Sequence, residues 1–335
     1  MTGPMVETFD LVKSFAVRRG FFAQRKSRLV AVDRVSLRIN TGETLGLVGE
    51  SGCGKSTLGL TLMQLYDPTS GQVRFDGHDL VGMPSAQLNK VRREMQMIYQ
   101  DPYASLDPRM NVAEILTEPL AIHEVGTHQE RFAEAQRQLQ IVGLPADALG
   151  RFPSEFSGGQ QQRIGIARAL MLQPKMLICD EPVSSLDVSV QAQILNLLRD
   201  LQQEFHLTYL FISHNIAVTR FMSHRIGVMY LGRLMEIGPS NAIVDMPLHP
   251  YTRALIAAVP DSRPVDVHRQ RKLAGDIPSP IDRPTGCAFH PRCPYAQEKC
   301  AHDEPALRQF NPGHSVACHF AERIAGGQTA IREAA

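Results

Sequence analysis

Short apolar runs alternate with stretches of helical spacing through most of the chain. Leu45-Gly-Leu-Val48 predicts a short buried strand, a glycine-rich turn follows, and helical spacing runs from Ser56 to Tyr66. Val73 to Phe75 and Met97 to Tyr99 predict further short strands. From Asn111 to Val142 the spacing turns helical, with Leu116, Leu120, Phe132 and Leu139 set among polar residues. Met176-Leu-Ile-Cys179 and Leu207 to Ile212 predict two more buried strands. Between them Val190, Ile194, Leu197, Leu198 and Leu201 recur at helical spacing. Strands alternating with helices specify an α/β domain with a parallel sheet and right-handed crossovers. The helical block between Tyr99 and Leu172 interrupts that alternation, which predicts an inserted helical subdomain over residues 101–172.

Beyond Gly238 the pattern is cut by Pro239, Pro247, Pro250, Pro260, Pro264, Pro278, Pro280, Pro284, Pro291 and Pro294. Long helices and central strands are not expected there. A boundary near residue 238 divides the chain into a domain of residues 1–238 and an extension of residues 239–335.

Composition narrows the function classes. Over 335 residues, 35 Lys and Arg stand against 34 Asp and Glu, a net charge of +1, so no overall charge draws the chain to nucleic acid. No apolar run is long enough to span a bilayer, and the first residues lack the order of a secretory signal. Any membrane is therefore expected to be met through partner chains.

The candidate chemistry is concentrated at two strand ends. Gly49-Glu-Ser-Gly-Cys-Gly-Lys-Ser56 meets the pattern G-x-x-x-x-G-K-[ST], with a strand before it and a helix after it. Glycines let backbone N–H groups turn inward around phosphate oxygens, and the helix N-terminus adds partial positive charge. Gly49, Glu50, Ser51, Gly52, Cys53, Gly54, Lys55, Ser56 and Thr57 are expected to cradle a nucleotide. Lys55 would reach the β- and γ-phosphates and Ser56 would ligate Mg²⁺. Asp180 and Glu181 close an apolar strand. The first suits Mg²⁺, and the second suits a general base beside the γ-phosphate.

Cys287, Cys293, Cys300 and Cys318 cluster near the C-terminus. Four soft thiolates suit a tetrahedral Zn²⁺ or a [4Fe–4S] cluster, although no C-x₂-C pair is present. His290, His314 and His319 could each replace a thiolate, and unmetallated buried thiols are the remaining reading.

These motifs are joined by Ser157-Gly158-Gly159-Gln160-Gln161, which resembles the signature of ABC ATPases. Gln100 resembles the Q-loop glutamine, Asp187 in Ser184-Ser-Leu-Asp187 the D-loop aspartate, and His214 the switch histidine. Phe15 sits where that family places an aromatic residue against adenine. Three residues depart from the pattern: Phe156 replaces Leu, Asn215 replaces Asp, and Phe15 lacks a tyrosine's hydroxyl. The resemblance implies an α/β P-loop NTPase fold with a helical insertion. It implies ATP hydrolysis with Glu181, His214 and Gln100 as catalytic residues, and Mg²⁺ on Ser56, Gln100 and Asp180. It also implies that one subunit's signature turn closes on the ATP held by another, with Asp187 linking the two sites.

Gln100 to Arg109, Pro247 to Arg253 with Ala257 to Pro260, and Gly286 to Pro294 resemble the oligopeptide and dipeptide importer branch. That branch implies a second, different ATPase subunit, two transmembrane permease subunits and an extracytoplasmic substrate-binding protein. It implies a peripheral position on the cytoplasmic side of the inner membrane, and an iron–sulfur cluster on the four cysteines in a small metal-binding extension. The basic stretch Arg18 to Arg28 resembles the F-type ATPase subunit, and reads as a charged surface loop or a contact for anionic lipid. Nickel or glutathione import is the alternative within importers. A soluble ABC ATPase of DNA repair or translation is the alternative outside them.

Overall fold

The computed structural model describes residues 3–18, 26–258 and 275–327. β1 (Pro4–Arg18) and β2 (Lys26–Asn40), each of 15 residues, lead into β3 (Thr44–Val48) and α1 (Lys55–Leu62). β4 (Ser70–Phe75), β5 (His78–Asp79), α2 (Ser85–Glu94) and β6 (Met95–Ile98) follow. A helical block comes next: α3 (Pro102–Ser105), α4 (Val112–Ile122), α5 (His128–Ile141) and α6 (Gly158–Leu170). The chain returns through β7 (Met176–Asp180), α7 (Val188–Phe205), β8 (Thr208–Ser213), α8 (Ile216–Met222), β9 (Arg225–Tyr230) and β10 (Arg233–Pro239). α9 (Ser240–Asp245), α10 (Pro250–Ala257), α11 (Glu298–His302), β11 (Arg308–Asn311), β12 (His314–Val316) and α12 (Ala321–Ala325) close the described chain.

The strands form two sheets. A four-stranded antiparallel sheet runs β2-β1-β4-β5, and an eight-stranded sheet runs β11-β12-β10-β9-β3-β8-β7-β6. In the larger sheet β6, β7, β8, β3 and β9 pair in parallel. β3, β7 and β8 are buried at every position, which is why their sequences are continuous apolar runs. The other half is antiparallel, and two strands come from the proline-rich tail: Glu236 pairs with Val316 and Ile237 with Ser315.

Two apolar layers cover the parallel strands. On one face α1 and the small sheet bury Leu45, Leu47, Leu58 and Ile212 with Val6, Ile39 and Phe75. On the other, the helical block buries Val112, Leu116 and Leu139 with Leu177, Tyr209 and Phe211. A third cluster joins Tyr230 and Met235 to Tyr251, Phe289 and Cys300 of the tail.

Several elements differ from the sequence pattern for identifiable reasons. The Asn111–Val142 stretch is two helices, broken where Glu124 (φ 56°) and Gly126 (φ 65°) turn left-handed. Each restarts with a capping box, Asn111 with Glu114 and Thr127 with Glu130. The helix read from Ser56 to Tyr66 ends at Leu62, just before Gln64 turns to φ 54°. The strand read as Met97 to Tyr99 spans Met95–Ile98, and Tyr99 is exposed. No helix among the described residues is long and apolar enough to cross a membrane.

Candidate nucleotide site

Between β3 and α1 the chain turns through Gly52 (φ 76°) and Gly54 (φ 104°). Glycine is required by space as well as by torsion. A Cβ on Gly54 would lie 2.0 Å from the Ala31 carbonyl oxygen, and one on Gly49 would lie 2.1 Å from that of Met229. Strands β2 and β9 thus pack directly under the loop. The Gly232 N–H, in the turn between β9 and β10, donates to the Cys53 carbonyl at 2.8 Å. Lys55 is buried, and its Nζ donates across the loop to the carbonyls of Gly49 (2.8 Å) and Glu50 (3.1 Å). Burial pushes the Cys53 thiol up, against the opposing pull of Lys55. Thr57 lies in the first turn of α1, and its carbonyl accepts from the Thr61 hydroxyl.

Parallel pairing sets the C-terminal ends of β6, β7, β8 and β3 side by side, about 4.8 Å apart. Four expected site residues follow from that placement. Asp180 ends β7, and its Oδ1 accepts from the Ser56 hydroxyl at 2.9 Å. Burial raises its pKa above the usual carboxylate value, the Ser56 bond opposes that, the Glu181 charge adds to it and the Lys55 charge opposes it. Glu181 follows with a left-handed backbone (φ 46°), anchored by its N–H to the Ile212 carbonyl at 2.9 Å. Its Oε2 meets His214 Nδ1 at 2.9 Å and accepts from Gln100 Nε2 at 3.3 Å. His214 lies just beyond β8 and Gln100 just beyond β6, so three strand ends converge on one carboxylate oxygen. A cleft of about 680 Å³ opens beside them, lined by Tyr99, Gln100, Asp101, Glu118, Arg168 and Asp180.

The other expected site residues stand apart from this convergence. Ser157 caps α6 in a capping box with Gln160, and Ser157, Gly158 and Gln160 are all exposed, while Gly159 is half-buried. Asp187 caps α7 from an exposed position, and its side chain makes no capping bond. Phe15 stacks edge-on against Tyr66 with centroids 5.3 Å apart, and Lys13 Nζ lies 5.0 Å from its ring centre. Residues 19–25 of the basic stretch lie outside the described residues, as do Pro260 and Pro264.

All four tail cysteines are free thiols. Burial pushes Cys287 up to about 11 and Cys293 and Cys318 up to about 12, and nearby thiols add to each shift. They are split between two apolar clusters. Cys287, Cys293 and Cys300 pack with Phe289, whereas Cys318 packs with Leu248 and Val316. Among the described residues, no three His, Cys, Asp or Glu side chains form a group that could hold a metal ion. The metal-binding extension expected from cysteine spacing is therefore not formed as a ligand set. The three candidate histidines are engaged as well. His290 Nδ1 meets the Cys287 carbonyl, His314 Nε2 meets Glu236, and His319 Nε2 meets the Asp303 carbonyl, at 3.0, 2.8 and 2.9 Å.

Residues that sequence reasoning left without a role also reach the loop. The Glu50 N–H donates to the Tyr251 hydroxyl, and Arg292 binds the Glu50 carboxylate. Both sit in stretches that carried a resemblance, Pro-Tyr-Thr-Arg253 and Phe-His-Pro-Arg292. Their contact with the loop is made only by the fold.

Comparison with known proteins agrees with this geometry. A family model described as ABC transporter matches residues 32–184. A second, described as Oligopeptide/dipeptide transporter, C-terminal region, matches residues 235–300. The chain is 50% identical over 319 residues to the oligopeptide transport ATP-binding protein AppF of Bacillus subtilis, covering 94% of this chain and 97% of that one. It is 48% identical over 319 residues to a probable peptide ABC transporter ATP-binding protein of Sinorhizobium fredii, covering 95% and 90% respectively. Among solved structures, a dimeric ATP-binding cassette in a post-hydrolysis state, bound to ADP and Pi, superposes with a TM-score of 0.62 at 30% identity. That match covers 70% of this chain and 99% of the other. With its nucleotide-type loop, its convergent strand ends and relatives matched along nearly its whole length, the chain belongs to the family of ABC transporter ATP-binding proteins, in the branch that carries the oligopeptide/dipeptide transporter C-terminal region.

Proposed function

We propose that this chain hydrolyses ATP to power the import of di- or oligopeptides through a membrane ABC transporter. The observation that carries the chemistry is the meeting of Gln100 and His214 on one oxygen of Glu181, beside the Lys55–Ser56–Asp180 cluster. The peptide class is supported by the tail that matches the oligopeptide/dipeptide transporter region and by the names of the relatives.

In this reading the glycine loop binds the phosphates and Lys55 swings from its carbonyl partners to the γ-phosphate. Water attacks the γ-phosphorus in line, Glu181 takes its proton, and the bond to the ADP oxygen breaks. His214 orients the Glu181 carboxylate and supports γ-phosphate charge. The oxygen donors Ser56, Gln100 and Asp180 fit a hard cation such as Mg²⁺, which when bound supplies neutralisation of phosphate charge. Phe15, with Tyr66 beside it, would stack on adenine.

The exposed turn from Ser157 to Gln160 opens a 13-residue helix, a ready anion-binding end. We assign it to the ATP of a second ATPase subunit, in a heterodimer, with Asp187 linking the two sites. The dimeric state of the solved ATP-binding cassette supports this arrangement. Two transmembrane permease subunits would contact the cleft beside Gln100, and an extracytoplasmic binding protein would deliver the peptide. The chain would then sit peripherally on the cytoplasmic face of the inner membrane. Residues 1–238 form the nucleotide-binding domain in this reading, with a helical subdomain over 101–172, and residues 239–335 form the extension.

The finer reading of the tail is that Cys287, Cys293, Cys300 and Cys318 hold a [4Fe–4S] cluster, with Zn²⁺ as the alternative. Four free thiols support it, with Cys287, Cys293 and Cys318 close enough to other tail thiols for those to push their pKa up, and their division between two apolar clusters weighs against it. Metal analysis of anaerobically purified protein tests this point.

Reconstitution of the whole importer in vesicles tests the function. ATP hydrolysis should rise when peptide-loaded binding protein is added and stay basal with the empty protein. Stimulation by a nickel chelate or glutathione and not by peptides would overturn the peptide assignment.

A further inference from the structure

The cysteine-bearing tail takes hold of the glycine loop at one residue, twice. Arg292, between Cys287 and Cys293 in sequence, grips the Glu50 carboxylate through two parallel bonds, Nη1 to Oε2 at 2.8 Å and Nη2 to Oε1 at 3.0 Å. The Glu50 backbone N–H donates to the Tyr251 hydroxyl oxygen at 2.9 Å, from α10. The Arg292 side chain is 5% exposed and that of Glu50 21%, so water competes weakly for the pair. Burial works against the Arg292 charge, yet Glu50 and the Tyr230 hydroxyl hold its pKa above the ordinary arginine value. Tyr230, Tyr251 and Phe289 form the floor of this contact, with ring centroids 4.7, 5.4 and 5.3 Å apart.

A phosphate cradle works by aiming several N–H groups at one point before the ligand arrives, and slack in the backbone costs affinity. β3 and α1 fix the two ends of this loop. Glu50, two residues past the strand, has its carbonyl held within the loop, while its N–H and carboxylate are held by the tail. A bidentate guanidinium–carboxylate pair is directional, so it sets orientation as well as position. It also cancels a carboxylate charge that would otherwise stand beside a polyphosphate.

We propose that Arg292 and Tyr251 are positioning residues of the nucleotide site: by holding the side chain and backbone of Glu50, the tail sets the cradle that Lys55 and Ser56 offer to a nucleoside triphosphate. The proposal rests on the phosphate-loop reading above. Because coupling is reciprocal, a bound nucleotide in turn stabilises the tail's seat on the loop.

The test is a titration of the full chain with trinitrophenyl-ATP, paired with thermal melts. Arg292→Met should weaken nucleotide binding about tenfold. Glu50→Gln added to it should make binding no weaker, because both substitutions remove the same pair, and Arg292→Lys should restore part of the loss. Tyr251→Phe removes only a hydroxyl and should cost about threefold at nearly unchanged Tm. It decides the matter if Arg292→Met does not fold. Lys55→Ala is the control on the loop itself. Binding lost in Lys55→Ala but intact in Arg292→Met and Tyr251→Phe overturns the positioning role alone, as do additive losses in the double variant. Full binding in Lys55→Ala overturns the phosphate-loop reading beneath it.

Discussion

Nδ1 of His214 lies 2.9 Å from Oε2 of Glu181, at the ends of neighbouring parallel strands. One residue supplies the proposed base and the other steers it, and both are placed by the register of the sheet. Glu181→Gln keeps the size and the hydrogen bonds but cannot accept the proton. It should bind ATP as tightly as wild type and lower turnover by about 10²- to 10⁴-fold. Single-turnover hydrolysis checks this, and wild-type rates would remove Glu181 as the base.

Gly54→Ala probes the floor of the loop. The added methyl would meet the Ala31 carbonyl at 2.0 Å on a backbone at φ 104°. Both effects strain the folded state, so stability in urea should fall by more than about 2 kcal/mol. Gly52→Ala meets no such neighbour within 4 Å and should fall less, by the torsional cost alone.

His249 couples stability to pH. It is buried, accepts from the Tyr251 N–H at the start of α10, and burial holds it at about 4 against the upward pull of Glu236. The unfolded chain therefore takes up this proton first as pH falls. The contribution is fully present above about pH 6.5 and is lost between there and pH 4, amounting to about 3 kcal/mol. His249→Asn keeps a capping acceptor without the titration. Its stability should be flatter over that window in urea melts, and an unchanged slope would assign the loss to other groups.

Ser157→Arg addresses the exposed helix end. Arginine there should leave ATP binding by the isolated chain intact and reduce hydrolysis by the assembled complex about 100-fold, by analogy with removing one donor from a charge-stabilising site. Equal loss of binding in the isolated chain would place Ser157 at its own nucleotide.

The parallel half of the large sheet was legible in the sequence because its strands are buried on both faces. Leu45 to Val48 and Met176 to Cys179 are unbroken apolar runs, and polar motifs mark their ends. The long hairpin of β1 and β2 was not. Its register slips near Asp10 (φ 44°) and Arg34 (φ 50°), which destroys the strict alternation that would announce strands. The tail strands were hidden by prolines, and their seat on β10 depends on a buried Glu236 that binds His314 and the N–H groups of Leu248 and His249. In the site, Lys55, Asp180, Glu181 and His214 were visible as motif residues. Tyr251 and Arg292 were not, because a contact across some 200 residues of chain leaves no local pattern.

The proposed sharing of each nucleotide by two subunits is decided by a structure of the assembled Glu181→Gln complex trapped with ATP. Such a structure should show γ-phosphate oxygens in contact with Lys55 and Ser56 of this chain and with the serine of the partner's signature turn. Triphosphate enclosed by one chain, with both signature turns facing solvent, would contradict it.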